Sequence, residues 1–224
     1  MLISGSLRQR STNTAALRTA RLVAPRQVAA VLYEGTARLP HFNPDDDTGS
    51  PPAPVLALRA QIRSADAVLF SVPEYAGALP GSFKNLLDWA VGDDQPASLD
   101  GKPVAWVNVA PRGAVHAHDS LRRVLRYLGA RVVEPACADL PLAQTDLDAE
   151  GLVQAAHIRA RLAAVLEQLS GAAPVPAWLP SRTPRPVRFL SPLGQRRTSR
   201  RRTREARPWP VYRAGGRRGT PARR

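Results

Sequence analysis

The stretch Pro73-Glu74-Tyr75-Ala76-Gly77-Ala78-Leu79-Pro80-Gly81-Ser82-Phe83-Lys84-Asn85-Leu86-Leu87-Asp88-Trp89 follows a short apolar run, Ala67-Val68-Leu69-Phe70-Ser71-Val72. A buried strand here ends in a loop punctuated by Pro and Gly, and the loop opens into an amphipathic helix. That order places backbone N–H groups and small side chains at the carboxyl end of a strand. In open α/β sheets, ligands bind at that edge.

Strand and helix alternate along the rest of the chain, which favours a parallel sheet with helices on both faces. Met1-Leu2-Ile3 reads as the first strand, and a helix from about Thr12 to Val23 stops before Pro25. Val28 to Tyr33 reads as the second strand. Asn43 to Pro54, with three Asp and four Pro, is a loop. A short helix over Val55 to Arg63 precedes the third strand, Ala67 to Val72, and Ser82 to Val91 is helical. Val104 to Val109 is the fourth strand. Leu121, Val124, Leu125 and Leu128 line one face of a helix that stops at Gly129. Arg131-Val132-Val133 begins the fifth strand. Leu152, Ala155, Ile158, Leu162, Val165 and Leu169 recur at helical spacing up to Gly171.

A formal charge of +14 on 224 residues first suggests a polyanionic partner, but the charge is unevenly placed. Residues 1–173 hold 17 Lys/Arg and 17 Asp/Glu and are formally neutral. Residues 174–224 hold 15 Arg and one Glu, the whole of the excess. The lone Cys137 excludes a disulfide framework and a Cys-x-x-Cys zinc site, and it reads as a small buried residue. His41, His116, His118 and His157 show no metal spacing; on a helix, His116 and His118 point to different faces. No metal is expected. No apolar run approaches bilayer length, and no charged region precedes an apolar core at the N-terminus. A cytoplasmic protein with no membrane partner is the expectation.

Ser4-Gly5-Ser6-Leu7-Arg8-Gln9-Arg10-Ser11-Thr12-Asn13 follows the first strand, as Pro73 to Gly81 follows the third. Together these two segments resemble the NADPH-dependent FMN reductase family, over roughly residues 1–171. The family includes quinone, azo and chromate reductases. The resemblance implies a flavodoxin-like three-layer sandwich, with a five-stranded parallel sheet in the order 2-1-3-4-5. Periodicity alone gives only an α/β sandwich. The implied activity is an NAD(P)H-dependent oxidoreductase. Hydride passes from NADPH or NADH through FMN to a small acceptor: a flavin, a quinone, an azo compound or a metal oxyanion. The chemistry belongs to the flavin, so no catalytic side chain is expected. Family members assemble as homodimers or homotetramers, with the flavin near a subunit boundary.

The resemblance assigns cofactor roles to three loops. A flavin phosphate wants backbone N–H groups, hydroxyl donors and positive charge at a helix N-terminus. Gly5 lets the backbone approach; Ser6, Ser11, Thr12 and Asn13 offer short polar groups, and Arg8 offers a guanidinium fork. Ser11 or Thr12 could equally do no more than cap the first helix. The glycine spacings of a P-loop and of a dinucleotide fingerprint are both absent. Pro73, Glu74, Tyr75, Ala76 and Gly77 are expected along the isoalloxazine ring and ribityl chain. Ala76 stands where the family usually has Asn. Glu74 is read as orienting this loop rather than as a catalytic acid. Lys84, Asn85, Asp88 and Trp89 are expected at the helix surface and in subunit packing. Pro111 and Gly113, after the fourth strand, are assigned to the polar edge of the ring. Arg112 fits either the 2′-phosphate of NADPH or plain solvent.

Two further classes compete. A flavodoxin-like electron carrier would share the fold, although flavodoxins are acidic and carry a Thr/Ser-rich phosphate loop. A nucleic-acid-binding protein would use residues 172–224, which carry the Arg and nine Pro; Trp178 and Trp209 could add stacking. That segment reads as disordered, and as a polyanion-binding tail, a spacer or a GC-rich extension without function. The first strand has three residues before its loop, short for a central strand. This predicts that native chains carry further apolar residues upstream of Met1.

Overall fold

The computed structural model describes residues 1–91 and 97–173. The chain divides into two units, Met1–Leu179 and Pro180–Arg224. The second unit, and with it the expectations for the Arg-rich tail, lies outside the described residues.

Among the described residues, six short strands form one parallel sheet: β1 (Leu2–Ser4), β2 (Leu32–Tyr33), β3 (Val68–Ser71), β4 (Pro103–Asn108), β5 (Arg131–Val132) and β6 (Ala138–Asp139). The order is β2-β1-β3-β4-β5, with β6 also on β4. The α-helices described with it are α1 (Thr12–Leu22), α2 (Ala53–Ser64), α3 (Gly81–Trp89), α4 (Val115–Tyr127) and α5 (Ala156–Gly171). This is the flavodoxin-like sandwich. The chain leaves β1 toward β2 on one side and β3 on the other, so a crevice opens beyond the carboxyl ends of β1 and β3.

Both faces of the sheet are buried, so the strands are apolar runs without polar alternation. The pleat sends alternate residues to opposite sides. Ile3, Phe70, Val104 and Trp106 pack with Leu58 of α2, Phe83 and Leu87 of α3, and Leu121 and Leu125 of α4. Leu2, Leu69, Ala105 and Val107 pack with Leu17 of α1 and with Leu162, Val165 and Leu169 of α5.

Four local readings change. The second strand is predicted from Val28 but is laddered only at Leu32–Tyr33: its partner β1 pairs Leu2 with Leu32, and the last contact before that pair is Leu2 N donating to Val31 O at 2.7 Å. The fifth position in the sheet is held by two segments. Pro135, in a 3-10 turn over Glu134–Ala136, breaks the run, so β5 pairs with the first half of β4 and β6 with the second. Leu152 and Ala155 precede α5, which starts at Ala156. Trp89 is not on a surface. It is fully buried, and its Nε1 donates to Pro40 O at 2.9 Å, while Asn85 Oδ1 accepts from Phe42 N at 2.7 Å and Asn85 Nδ2 donates to Pro40 O at 2.8 Å. These two residues fasten the 40–42 loop. Lys84 and Asp88 do lie toward solvent, as an i,i+4 ion pair.

A buried ion pair locks the long loop before α2. Arg59 Nη2 meets Asp47 Oδ2 at 2.7 Å, and Arg59 Nε donates to Trp89 O at 2.7 Å. Both residues are buried. Removing one partner strands a buried charge. Asp47→Ala is expected to cost about 3–5 kcal/mol, read from the urea midpoint, whereas Asp47→Ala combined with Arg59→Met should recover most of the loss.

Candidate functional site

The buried polar side chains cluster at one edge. Six of the eleven among the described residues, Ser4, Ser6, Ser11, Asn13, Ser71 and Asn108, lie at the carboxyl ends of β1, β3 and β4 or in the loop and helix that follow β1. A parallel sheet has no need of hydroxyls and amides in its interior, so their concentration marks the site.

The first loop leaves β1 at Ser4. Gly5 N donates to Ser71 O at 2.8 Å, so the chain crosses close over β3. A Cβ at Gly5 would stand 2.8 Å from Val72 Cγ1 and 3.2 Å from Val72 Cα, which explains the glycine. Ser4 Oγ lies 2.8 Å from Thr14 Oγ1 and accepts from Ser6 N at 3.2 Å; Ser6 Oγ accepts from Arg8 N at 3.3 Å. Ser11 is the N-cap of α1 and accepts from Thr14 N at 3.4 Å. Thr12 is the first residue of α1, whose first turn carries no acidic residue. The guanidinium of Arg8 is exposed, with no partner among the described residues.

Ser71 joins three elements. Its Oγ lies 2.9 Å from Asn13 Oδ1 on α1 and 3.0 Å from Val107 O on β4. One hydroxyl proton serves one acceptor. Turning the Asn13 amide so that Nδ2 donates to Ser71 Oγ, while the hydroxyl donates to Val107 O, satisfies both contacts.

The second loop contains a two-residue turn. Tyr75 N donates to Ala78 O at 3.0 Å and Ala78 N to Tyr75 O at 3.1 Å, with Ala76 at φ 51° and Gly77 at φ 70° between them. Positive φ at both central residues is the geometry for which Asn-Gly is favoured. Ala76 therefore holds a backbone that Asn adopts more readily, whatever an Asn side chain would contact. Tyr75 is half exposed. Pro73 and Glu74 lead from β3 into the turn, and Glu74 reaches across to the third loop: its Oε2 accepts from Ala117 N at 3.1 Å. Ala117 is the third residue of α4, and the N-cap residue Ala114 has no side chain able to bond it. Glu74 thus caps α4 from another loop, and its charge faces the positive end of that helix.

The third loop turns at Pro111. Gly113 N donates to Ala110 O at 3.0 Å, with Pro111 second and Gly113 fourth, as a type I turn prefers. Asn108 secures it: Oδ1 accepts from Ala110 N at 3.1 Å, and Nδ2 donates to Gly113 O and to Asp139 Oδ1 of β6. Asn13 meets β3 through Ser71, and Glu74 joins the second loop to α4. Ser6, Arg8, Ser11 and Thr12 stay within the first loop, whereas Tyr75, Ala76 and Gly77 stand out in their own turn. Ser71 and Asn108 are site residues that the sequence reading missed. The signal was present as a polar residue inside each of two apolar runs, Leu69–Val72 and Trp106–Val109. Cys137 is half-buried, and burial pushes its thiol up to about 11.

A flavodoxin-like sheet with polar groups and a helix N-terminus gathered at its carboxyl edge is a nucleotide-type binding architecture. Residues 1–143 match the family of NADPH-dependent FMN reductases, and the chain belongs to that family. It is 38% identical over 153 residues to an NAD(P)H-dependent FMN reductase of Pseudomonas aeruginosa, covering 66% of this chain and 80% of that one. It is 37% identical over 134 residues to a quinone reductase of Escherichia coli, covering 58% and 70%. Among solved structures it resembles FerB, a flavoenzyme NAD(P)H:(acceptor) oxidoreductase from Paracoccus denitrificans. That match has a TM-score of 0.63 at 27% identity, over 77% of this chain and 97% of that chain.

Two outcomes test this geometry. Ala76→Asn should raise stability by roughly 0.5–1 kcal/mol and Ala76→Val should lower it, both read from thermal midpoints. Cys137 should react with iodoacetamide at pH 8 well over tenfold more slowly in the native protein than in urea, since its thiolate is scarce below its raised pKa.

Proposed function

We propose that the first, second and third loops hold FMN, and that the chain reduces a small acceptor with NADPH or NADH. The observation that carries this reading is the first loop at the α1 N-terminus. Arg8 stands free among the described residues, no acidic residue occupies the first turn, and Gly5 brings the backbone close. A phosphate dianion fits that donor set. The bound FMN supplies two-electron chemistry, accepting hydride from a nicotinamide and passing reducing equivalents onward.

The chain's own residues bind and orient. Ser6, Ser11 and Thr12, with the N–H groups around them, would hold the phosphate, and Arg8 would offer it a charged donor. Asn13, fixed on Ser71, holds α1 against β3. Pro73, Glu74, Tyr75, Ala76 and Gly77 of the second loop and Pro111 and Gly113 of the third would hold the isoalloxazine ring. Glu74, engaged on Ala117 N, is a positioning residue that keeps the second and third loops in register. A quinone, a free flavin, an azo compound or a metal oxyanion is the acceptor. The reductase assembles as a homodimer or homotetramer in the cytoplasm.

Purified protein mixed with FMN should be yellow, show a thermal upshift and oxidise NADPH when a quinone is present. Arg8→Ala combined with Ser11→Ala should weaken FMN binding by roughly 10–1,000-fold, the loss of one or two charge-assisted hydrogen bonds. A colourless protein with no thermal shift in excess FMN would overturn the assignment. Glu74→Ala should lower the thermal midpoint and turnover together, while Glu74→Gln, which keeps an acceptor oxygen, should retain most of both.

A further inference from the structure

The first loop is braced from outside by a stretch far away in sequence. Gln144 Nε2 donates to Arg10 O at 2.9 Å, across 134 residues. The direction is fixed, because a carbonyl oxygen only accepts. Arg10, with Gln9, forms the turn that leads to Ser11, the N-cap of α1. The family match ends at residue 143, so this contact comes from the chain just beyond it.

Gln144 and Arg10 are both exposed, and an exposed hydrogen bond between loose groups is worth little. Gln144 is not loose. It opens a 3-10 turn, Gln144–Asp146. In that turn Ala143 N donates to Asp146 Oδ2 at 2.7 Å, Asp146 N to Ala143 O at 3.2 Å and Leu147 N to Gln144 O at 3.3 Å. Before the turn, Leu140 N donates to Asn108 O at 2.7 Å and Leu142 N to Val109 O at 3.0 Å. Both leucines are buried in the core that includes Leu17 of α1. After the turn, Val153 N donates at 2.9 Å to Oγ1 of Thr19, a fully buried residue of α1. The segment from Leu140 to Val153 is thus tied to the end of β4 on one side and to α1 on the other, with Gln144 held between.

An anion cradle needs N–H groups on its inner side and no carbonyl oxygen there. A trans peptide carries its C=O and N–H on opposite sides, and the described residues contain no cis bond. Gln144 takes the oxygen of the Arg10–Ser11 peptide, so Ser11 N–H points away from Gln144. That N–H has no hydrogen-bond partner among the described residues and is free for a ligand. A flip of this one peptide would reverse the pair and turn a carbonyl dipole against a phosphate. We propose that Gln144 is a positioning residue of the phosphate cradle: it prevents that flip by holding Arg10 O from a braced turn. The role rests on the first loop being the FMN phosphate site.

The test compares FMN with riboflavin, which has the same ring and lacks the phosphate, on the full chain. Gln144→Met keeps the side-chain length and loses the donor. It should bind FMN roughly 2–10-fold more weakly than the wild type, the worth of one hydrogen bond, while its riboflavin affinity stays within about twofold. Its thermal midpoint without flavin should stay within roughly 3 °C of the wild type, as for an exposed substitution. Gln144→Lys, which restores a donor of similar reach, should bind FMN at least as tightly as the wild type. Unchanged FMN affinity in Gln144→Met would sink the proposal. An equal loss for riboflavin would sink it too, since the contact would then support the fold alone. A wild-type chain that binds no FMN would instead overturn the phosphate reading itself.

Discussion

A hydroxyl in the middle of an apolar sheet is the constraint around which the site is organised. Ser71 is fully buried at the carboxyl end of β3, where Asn13, Val107 O and Gly5 N converge on it or on its carbonyl. A buried hydroxyl left without partners costs about 1–3 kcal/mol, so this position is stable only while α1, β1 and β4 keep their places. Valine at this position would remove the need and release the coupling. The small polar residue therefore converts separate strand ends into one platform. Asn108 does the same for β4, β6 and the third loop.

On this platform the loops store strain. Among the described residues, the only two non-glycine residues with positive φ are Ala76 and Ala114, one in the second loop and one at the start of α4. Each conformation costs on the order of 1–3 kcal/mol and persists only when its surroundings fix it. Glu74 sits between them in structural terms. Its backbone leads into the turn at Ala76, and its carboxylate occupies the helix end that Ala114 leaves uncapped. An alanine N-cap forgoes a bond worth about 1 kcal/mol, and a carboxylate from the neighbouring loop restores it while fastening two loops together. A cap supplied in this way makes the two strained loops dependent on each other.

That dependence separates what the sequence shows from what it hides. Apolar periodicity is a local signal, and it located α1, α3 and β3 within a residue or two, while carrying α5 upstream to Leu152, before its start at Ala156. The two loop motifs, read together, led to the family and hence the strand order. Neither β6 nor the shortened β2 was legible, because both are decided by the partner strand: β6 exists only opposite Val107 and Asn108, and β2 extends only as far as β1 accompanies it. Glu74 was read as orienting its loop; the partner it has in the structure, a backbone N–H 43 residues away, has no sequence signature. Ser71 and Asn108 show in the sequence only as single polar interruptions of apolar runs, and the groups they engage, Asn13 and Val107 O for one and Gly113 O and Asp139 for the other, come together only in the fold. Trp89 was placed on a surface because α3 was read as an isolated amphipathic helix. The loop over Phe42 that covers it belongs to a stretch whose Pro and Asp content suggested only irregularity.

The two ends of the sheet solve opposite problems. At the carboxyl edge the chain invests polar groups, left-handed alanines and a cap in trans, which is costly unless a ligand with matching charge uses the arrangement. At the amino edge the same strands end beside an open recess where aliphatics such as Leu2, Val31 and Leu69 alternate with polar residues such as Gln61, Asp66 and Glu167. Helices α1 and α5 run along one face between the two edges, so their packing on Leu2 and Leu69 is shared by both.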